Sequence, residues 1–344
     1  MPFRKAARLL GIVDTPGGRK RHTKAIPHIG GLVIFSVFLG YGLFSEIVDL
    51  KTYWPLFVSL TVLLISGAID DQFFIPARLK FFIHIFAACF IVFAGGVKTS
   101  YLGNLLGLGD MGTDFMAYPF TIIAVVLLIN ALNLMDGMDG LAAGVSCVMF
   151  FWLMVGALSA GWVGHASVLS LLLACIAGFL IFNMRNPLRR KASLFLGDAG
   201  SMSLGLTIAW FAVLLAQKPY VPIEPIAVAW IIGFPIFDTC AQFYRRVMHG
   251  RDPFAPDRGH FHHHFIEAGV PVVYATPIIL CIVGVMGAIG YGGLMIGVPQ
   301  VVLTFGWIGL LVFHIVMTYD SKRYVRLIRY FTKNHGIKAC VDKG

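Results

Sequence analysis

Long apolar stretches, broken by short clusters of charged, Pro and Gly residues, run through the whole chain. Two of them, 140–184 and 268–319, contain no Asp, Glu, Lys or Arg over 45 and 52 positions. One bilayer crossing takes about 20 apolar residues, so each run predicts two membrane helices joined by a tight turn. The same reading along the chain predicts ten spans, near 29–47, 53–69, 79–97, 116–134, 141–160, 164–183, 199–216, 222–244, 272–295 and 299–319. A β-barrel is excluded, because its strands alternate apolar and polar positions in segments of about ten. The expected fold is all-α: a polytopic integral membrane protein with about ten transmembrane helices.

Charge adds orientation to this pattern. Of 344 residues, 58% are hydrophobic and 13% charged, against about a quarter charged in soluble domains. Ten spans put both termini on one side, with the connections 70–78, 135–140, 184–198 and 245–271. Counting Lys80 at the head of the third span, 24 of the 27 Lys and Arg fall on that side, and Lys51, Lys98 and Lys218 on the other. Basic residues collect on the cytoplasmic face, so both termini and these loops are expected there. Topology thus accounts for the net charge of +10 without a nucleic acid. The chain divides into a basic segment (1–28), a transmembrane domain (29–319) and a basic tail (320–344). The six cysteines have no paired spacing and read as packed thiols. No apolar run directly follows the basic N-terminal residues, so no cleavable signal peptide is expected.

The carboxylates sit where they are costly. Asp70 and Asp71 close the second span, Asp136 and Asp139 follow the fourth in "NLMDGMDG", and Asp198 opens the seventh in "FLGDAGS". Any one of these fits ordinary helix capping. Five on one membrane face point further, because an ionisable group there must be paired, hydrated or bound to a cation. Adjacent aspartates repel when both are charged, and oxygen-only ligands suit Mg²⁺ or Mn²⁺ better than zinc. Gly137 and Gly140 allow backbone to approach a phosphate. In a helical turn Asp136 and Asp139 would share a face. The connection 245–271 is opposite in character, with Arg245, Arg246, Arg251 and Arg258 beside His260, His262, His263 and His264. Arginine grips phosphate in a planar fork and histidine moves protons. A topology anchor and a zinc site are the competing readings. The first loop, "DTPGGRKRHTKAIPHIGG", offers another anion cradle or a plain juxtamembrane basic patch.

These motifs, in this order, resemble the polyprenyl-phosphate N-acetylhexosamine-1-phosphate transferases, glycosyltransferase family 4. The matching stretches are "GIVDTPGGRKRHTKAIPHIGG", "DD", "NALNLMDGMDGLAAG", "FLGDAGSMSLG" and "FPIFDTCAQFYRRVMHGRDPFAPDRGHFHHHF", together spanning about residues 11–270. The resemblance implies transfer of a sugar 1-phosphate from a UDP-amino sugar to undecaprenyl phosphate, with release of UMP, at the cytoplasmic face of a bacterial inner membrane. It implies Mg²⁺, with Mn²⁺ as the alternative, and Asp198, Asp71 and Asp139 as metal ligands. Asp70 is matched to readying the lipid phosphate, Asp71 to assisting at the metal and phosphate site, and His262, His263 and His264 to the catalytic histidine motif. Lys80, Asn183, Asp136, Asp139, Phe195, Arg258 and His260 are matched to substrate binding, with Phe195 stacked on uracil. Direct attack by the lipid phosphate is preferred over a phospho-aspartate.

The sequence "DPFAPDRGHFHHH" is similar to the WecA and teichoic-acid branch, which implies UDP-GlcNAc as donor and a role in initiating envelope polysaccharide. The alternatives are an MraY-like phospho-MurNAc-pentapeptide transferase and, from another class, a cation-coupled transporter. A transporter would place its carboxylates near the midplane in broken helices. A homodimer is the assembly to test for. Two departures from the family stand out: its first transmembrane helix has no counterpart ahead of the basic loop, and "NMRNPLRRKAS" is long and basic.

Overall fold

The computed structural model describes residues 13–14, 26–186, 189, 191–253 and 259–334. Ten apolar helical stretches coincide with the ten predicted spans. They are α1 (Gly30–Phe44), α2 (Leu50–Phe73), α3 (Ala77–Phe93), α4 (Ala117–Met135), α5 (Leu141–Ser159), α6 (Val163–Asn183), α7 (Gly197–Leu214) and α8 (Pro225–Met248). After the short α9 (Phe261–Glu267) come α10 (Val272–Gly287), which runs through a π-helical turn at Ala288–Gly292 to Met295, and α11 (Gln300–Tyr319). A final helix, α12 (Ser321–Asn334), occupies much of what reads as a tail. Eight of these stretches are long and apolar enough to cross a bilayer; α1, with 15 residues, is shorter, and α3 carries Arg78 and Lys80. Large apolar side chains such as Phe44, Phe82, Ile181 and Phe305 point outward and exposed. Such a surface is unstable in water and natural against lipid tails. The chain is a multi-pass membrane protein.

Several helix ends depart from the predicted spans for local reasons. Asp49 caps α2 by accepting from the Lys51 N–H and the Thr52 hydroxyl, which starts the helix at Leu50. Pro225 occupies the first turn of α8, where its missing N–H costs nothing. At the other end of α8, Arg245 and Arg246 lie in the last turn, where cations favour the helix dipole. Asp70 and Asp71 therefore lie inside the last turn of α2, and Asp198 inside the first turn of α7, rather than in connections.

α7 is the axis of the bundle, buried along almost its whole length among α1, α2, α4 and α5. Six of the nine residues of its first turns, "GDAGSMSLG", are Gly, Ala or Ser, so neighbours approach to backbone distance. A Cβ on Gly31 would lie 2.1 Å from the Gly200 Cα, and one on Gly67 2.3 Å from the Ala199 Cα. Among the described residues there are two short strand pairs: β1 (Val13–Asp14) with β2 (Ile26–Pro27), and β3 (Tyr101–Gly103) with β4 (Met111–Gly112), both antiparallel. The first leads onto the α7 entrance, where the Phe195 N–H donates to the Pro27 carbonyl and the Gly30 and Gly31 N–H groups donate to residues 195 and 196. Among the described residues, five cysteines are free; Cys340 lies outside them.

Candidate active site

The entrance to α7 organises the site. Gly197 takes φ +77°, and a Cβ there would sit 2.5 Å from the Asp71 Oδ2, so glycine alone fits comfortably. Asp71, buried on α2, accepts from the Asp198 N–H at 2.9 Å and, more weakly, from the Ala199 N–H at 3.4 Å. It thus caps a helix from another part of the chain, at the end where the dipole favours an anion. The His28 ring approaches the same carboxylate, 3.5 Å from Oδ1. As placed, both oxygens of Asp71 serve the start of α7.

Asp70 and Asp198 are tied together by one cation. The Lys80 ammonium pairs with the Asp70 carboxylate and donates to Asp198 Oδ2 at 2.8 Å. The Ile75 N–H holds the other Asp70 oxygen at 2.6 Å, and Asn133 donates to both Asp198 Oδ1 and the Ser201 hydroxyl at 3.0 Å. Asp70 is buried by these partners, whereas the Asp198 side chain keeps 31% of its surface open. One turn deeper lies a second polar layer, His84 with Asn130 and Met202, in line beneath Lys80, Asn133 and Asp198.

The 136–140 segment is an irregular turn, so Asp136 and Asp139 do not share a helical face. Gly137 and Gly140, the latter at φ +77°, break the helix that the spacing allowed. Asp139 receives the Arg185 guanidinium at 2.6 Å. Asp136 is half-buried, and burial together with the charges of Asp198, Asp71 and Asp139, partly offset by His28, pushes its carboxyl up to about 8. Asn183 is buried and spends both ends of its amide on the fold, accepting from the Gly140 N–H at 2.7 Å and donating to the Leu194 carbonyl at 2.8 Å. It fastens the aspartate turn to the 184–196 loop.

The histidine motif closes the other side of that turn. A Cβ on Gly137 would lie 2.5 Å from His262 Nε2, so α9 rests directly on the aspartate turn. His262 and His264 are buried without hydrogen-bond partners for His262 Nε2 and for either ring nitrogen of His264. Burial pushes His262 down to about 3, helped by the adjacent His263, and His264 down to about 4. Both are neutral at physiological pH. Asp238 of α8, nearly sealed from solvent, accepts from His260 Nδ1 at 2.9 Å and from the Phe261 N–H at 2.8 Å. His314 of α11 faces Asp238 Oδ1, the oxygen that accepts from Phe261, 3.8 Å away, and shares a 2.8 Å hydrogen bond with the Tyr324 hydroxyl, whose ring stacks on His264.

Phe195 lies at the mouth of the site, half-exposed, with His28 edge-on to its ring at 5.4 Å. Arg258 lies outside the described residues. The other sequence-derived candidates, Asp70, Asp71, Lys80, Asp136, Asp139, Asn183, Phe195, Asp198, His260, His262, His263 and His264, gather at one end of the bundle. Sequence reasoning missed Asp238, His28, Asn133, Arg185, His314 and Tyr324. Asp238 carried a usable signal, since it is a lone carboxylate inside a long apolar stretch.

Among the described residues, no three His, Cys, Asp or Glu side chains converge on one point as they stand. The donor chemistry nevertheless fits a hard divalent cation. Every acid here offers oxygen alone, Asp198 is open, and the Lys80 ammonium already bridges two carboxylates as a cation would.

The model of the family described as glycosyl transferase family 4 matches residues 53–216. The undecaprenyl-phosphate alpha-N-acetylglucosaminyl 1-phosphate transferase of Yersinia pestis is 31% identical over 336 residues, covering 96% of this chain and 89% of that protein. The protein of the same name from Escherichia coli O157:H7 is 36% identical over 294 residues, 83% and 78% of the two chains. A probable undecaprenyl-phosphate N-acetylglucosaminyl 1-phosphate transferase of Bacillus subtilis (strain 168) is 34% identical over 261 residues, 76% and 71%. With that extent of likeness, and with DD, DGMDG, GDAGS and HFHHH brought to one end of a helical membrane bundle, the chain belongs to glycosyl transferase family 4.

Proposed function

We propose that the chain transfers N-acetylglucosamine 1-phosphate from UDP-N-acetylglucosamine to undecaprenyl phosphate, releasing UMP. The observation that carries this reading is the meeting of four distant sequence motifs around the α7 entrance, in a chain whose relatives are named for that transfer. The site then faces the cytoplasm of a bacterial inner membrane, with ten crossings and both termini on that side. The 24-to-3 distribution of basic residues supports this orientation.

In the reaction an oxygen of the lipid phosphate bonds to the sugar-bearing phosphorus, and the diphosphate P–O bond to UMP breaks. Both substrates are anions, so neutralising charge is the main task. Lys80 and Arg185 stand where a diphosphate would meet Asp198 and Asp139, and we assign Arg258 to the same group. Asp70, held by Lys80, orients the acceptor phosphate. Neutral His262, resting on the aspartate turn, offers a ring N–H to the charge developing on phosphate, and Asp238 fixes its helix. Phe195, braced by His28, offers a face for uracil. Mg²⁺ or Mn²⁺ would be held by Asp198 and Asp139, while Asp71 fixes the helix start that presents Asp198. Such an ion would supply Lewis-acid neutralisation of the diphosphate and the departing UMP.

The test is UMP release by the purified protein with undecaprenyl phosphate and Mg²⁺, offered UDP-GlcNAc, UDP-GalNAc and UDP-MurNAc-pentapeptide in turn. Release from UDP-GlcNAc that needs the lipid and stops with EDTA is expected. Release from the pentapeptide donor alone would move the chain to the MraY-like branch. Silence with every donor overturns the reading.

A further inference from the structure

The chain beyond the last long apolar helix is built for a surface. α11 ends at Tyr319 and α12 begins at Ser321, so one residue, Asp320 in extended backbone (φ −111°, ψ 99°), turns the chain at the end of a membrane helix. That fixes the depth of α12 at the edge of the bilayer. Its inner face packs on α9 and α11 through Tyr324, Val325 and Ile328, and the Arg329 guanidinium donates to the Glu267 carbonyl at the end of α9.

At about 100° per residue, the remaining side chains separate into two arcs. One carries Leu327, Tyr330 and Phe331, which are 38%, 64% and 54% exposed, with Arg323 among them. The other carries Lys322, Arg326, Arg329 and Lys333. The helix holds five cations and no acid. The nearest carboxylate, Asp320, pairs with Arg323 at 3.8 Å and Arg326 at 3.6 Å, so it offsets only part of that charge. A helix facing water gains nothing by exposing two aromatics and a leucine beside a basic stripe. A helix lying in the headgroup layer uses both: the apolar arc enters the acyl boundary, and the cations reach up to anionic headgroups.

We propose that α12 is a membrane-surface helix whose partner is the anionic phospholipid of the leaflet next to the site. Leu327, Tyr330 and Phe331 insert at the acyl boundary, and Lys322, Arg326 and Lys333 bind headgroup phosphate. Through Tyr324 on His264 and Arg329 on Glu267, the helix that touches the lipid also braces the histidine helix.

The experiment uses the full chain with its cysteines replaced and single spin labels at positions 322, 327, 330, 331 or 333. It is reconstituted into vesicles of phosphatidylcholine alone or with about 30% phosphatidylglycerol, a charge density in the range where basic segments bind. In anionic vesicles, 327, 330 and 331 should meet oxygen in preference to a water-soluble nickel chelate, and 322 and 333 the reverse. Replacing Lys322, Arg326 and Lys333 with Glu should weaken this engagement, by about fivefold per cation lost. Equal nickel access at all five positions overturns the proposal. So does an identical pattern in neutral vesicles, or spin–spin broadening that shows a second copy covering the apolar arc. Hydrogen exchange of 321–334 in the unsubstituted protein, slower in anionic than in neutral vesicles, is the second readout; equal rates refute it. Neither readout depends on transferase activity, so each reading can fail alone.

Discussion

Asp198→Asn separates chemistry from folding. The carboxylate has two partners of different kinds: the Lys80 ammonium at 2.8 Å and the Asn133 amide at 3.0 Å. Asparagine keeps an acceptor oxygen for Asn133, removes the charge, and turns an amide NH2 toward Lys80 in place of an acceptor. Lys80 retains its pairing with Asp70. Because the Asp198 side chain is 31% open, the lost ion pair counts as a partly solvated one, costing no more than about 1 kcal/mol of stability. That is a shift in Tm of at most about 2–4 °C for a chain this large. Turnover should respond on another scale. Removing a carboxylate that holds the neutralising cation in a site where two anions react costs about 4 kcal/mol, which is about a thousandfold in kcat. The assay is initial-rate UMP release at saturating UDP-GlcNAc, beside thermal unfolding of the same preparation. A kcat within fivefold of the parent removes Asp198 from the chemistry. Loss of activity together with about ten degrees of Tm, several times the allowance for a solvated pair, would refute the claim that its role is local.

Three further outcomes follow from the geometry. Phe195→Ala removes a face offered to uracil, a part of the donor that does not react, so KM for UDP-GlcNAc should rise about 5- to 150-fold with a smaller change in kcat; an unchanged KM displaces the uridine pocket. Gly197→Ala forces a left-handed residue to carry a Cβ against Asp71; the backbone cost alone is about 1–2 kcal/mol, so calorimetry should show a lower Tm and the rate assay a loss of turnover. His262 and His264 are held below their unfolded value, toward about 3 and 4, so between about pH 6.5 and 4 the unfolded chain binds protons that the fold refuses. Stability then falls with acid by up to about 2.7 kcal/mol per pH unit for the two together; the double Gln variant should flatten that limb of the Tm–pH curve, and an unaltered slope counts against their burial.

The membrane helices were legible because a charge-free run of 52 residues leaves the chain few other options. That the costly carboxylates gather at one end of the bundle was legible too, since each stood at the end of such a run. What the residues do to one another was not. Asp71 reads as half of an acidic pair, yet its oxygens close the start of a helix 127 positions away. Asn183 reads as a nucleotide contact, and the fold uses its amide as a clasp between two loops. Such partnerships depend on which helices touch, and local pattern carries little of that. α12 is the opposite case: Tyr324, Val325 and Ile328 recur at helical spacing, a signal present in the sequence and masked by the density of Lys and Arg around it.

The seams of Gly31 with Gly200 and Gly67 with Ala199 put main chain against main chain, with no layer of side chains between. Most helix interfaces have slack because rotamers can re-sort to absorb a shift; these have none to spend. The separation of the α2 aspartates from Asp198 is therefore set by main-chain van der Waals contact, and it should hold steady as the bilayer thins, thickens or changes temperature. Tolerance has to reside elsewhere. A lineage adapting to a different sugar or a different lipid length is left to vary the outer helix faces and the connections away from the site, while the four small residues at the seam act as a fixed gauge that variation cannot cross without losing the site.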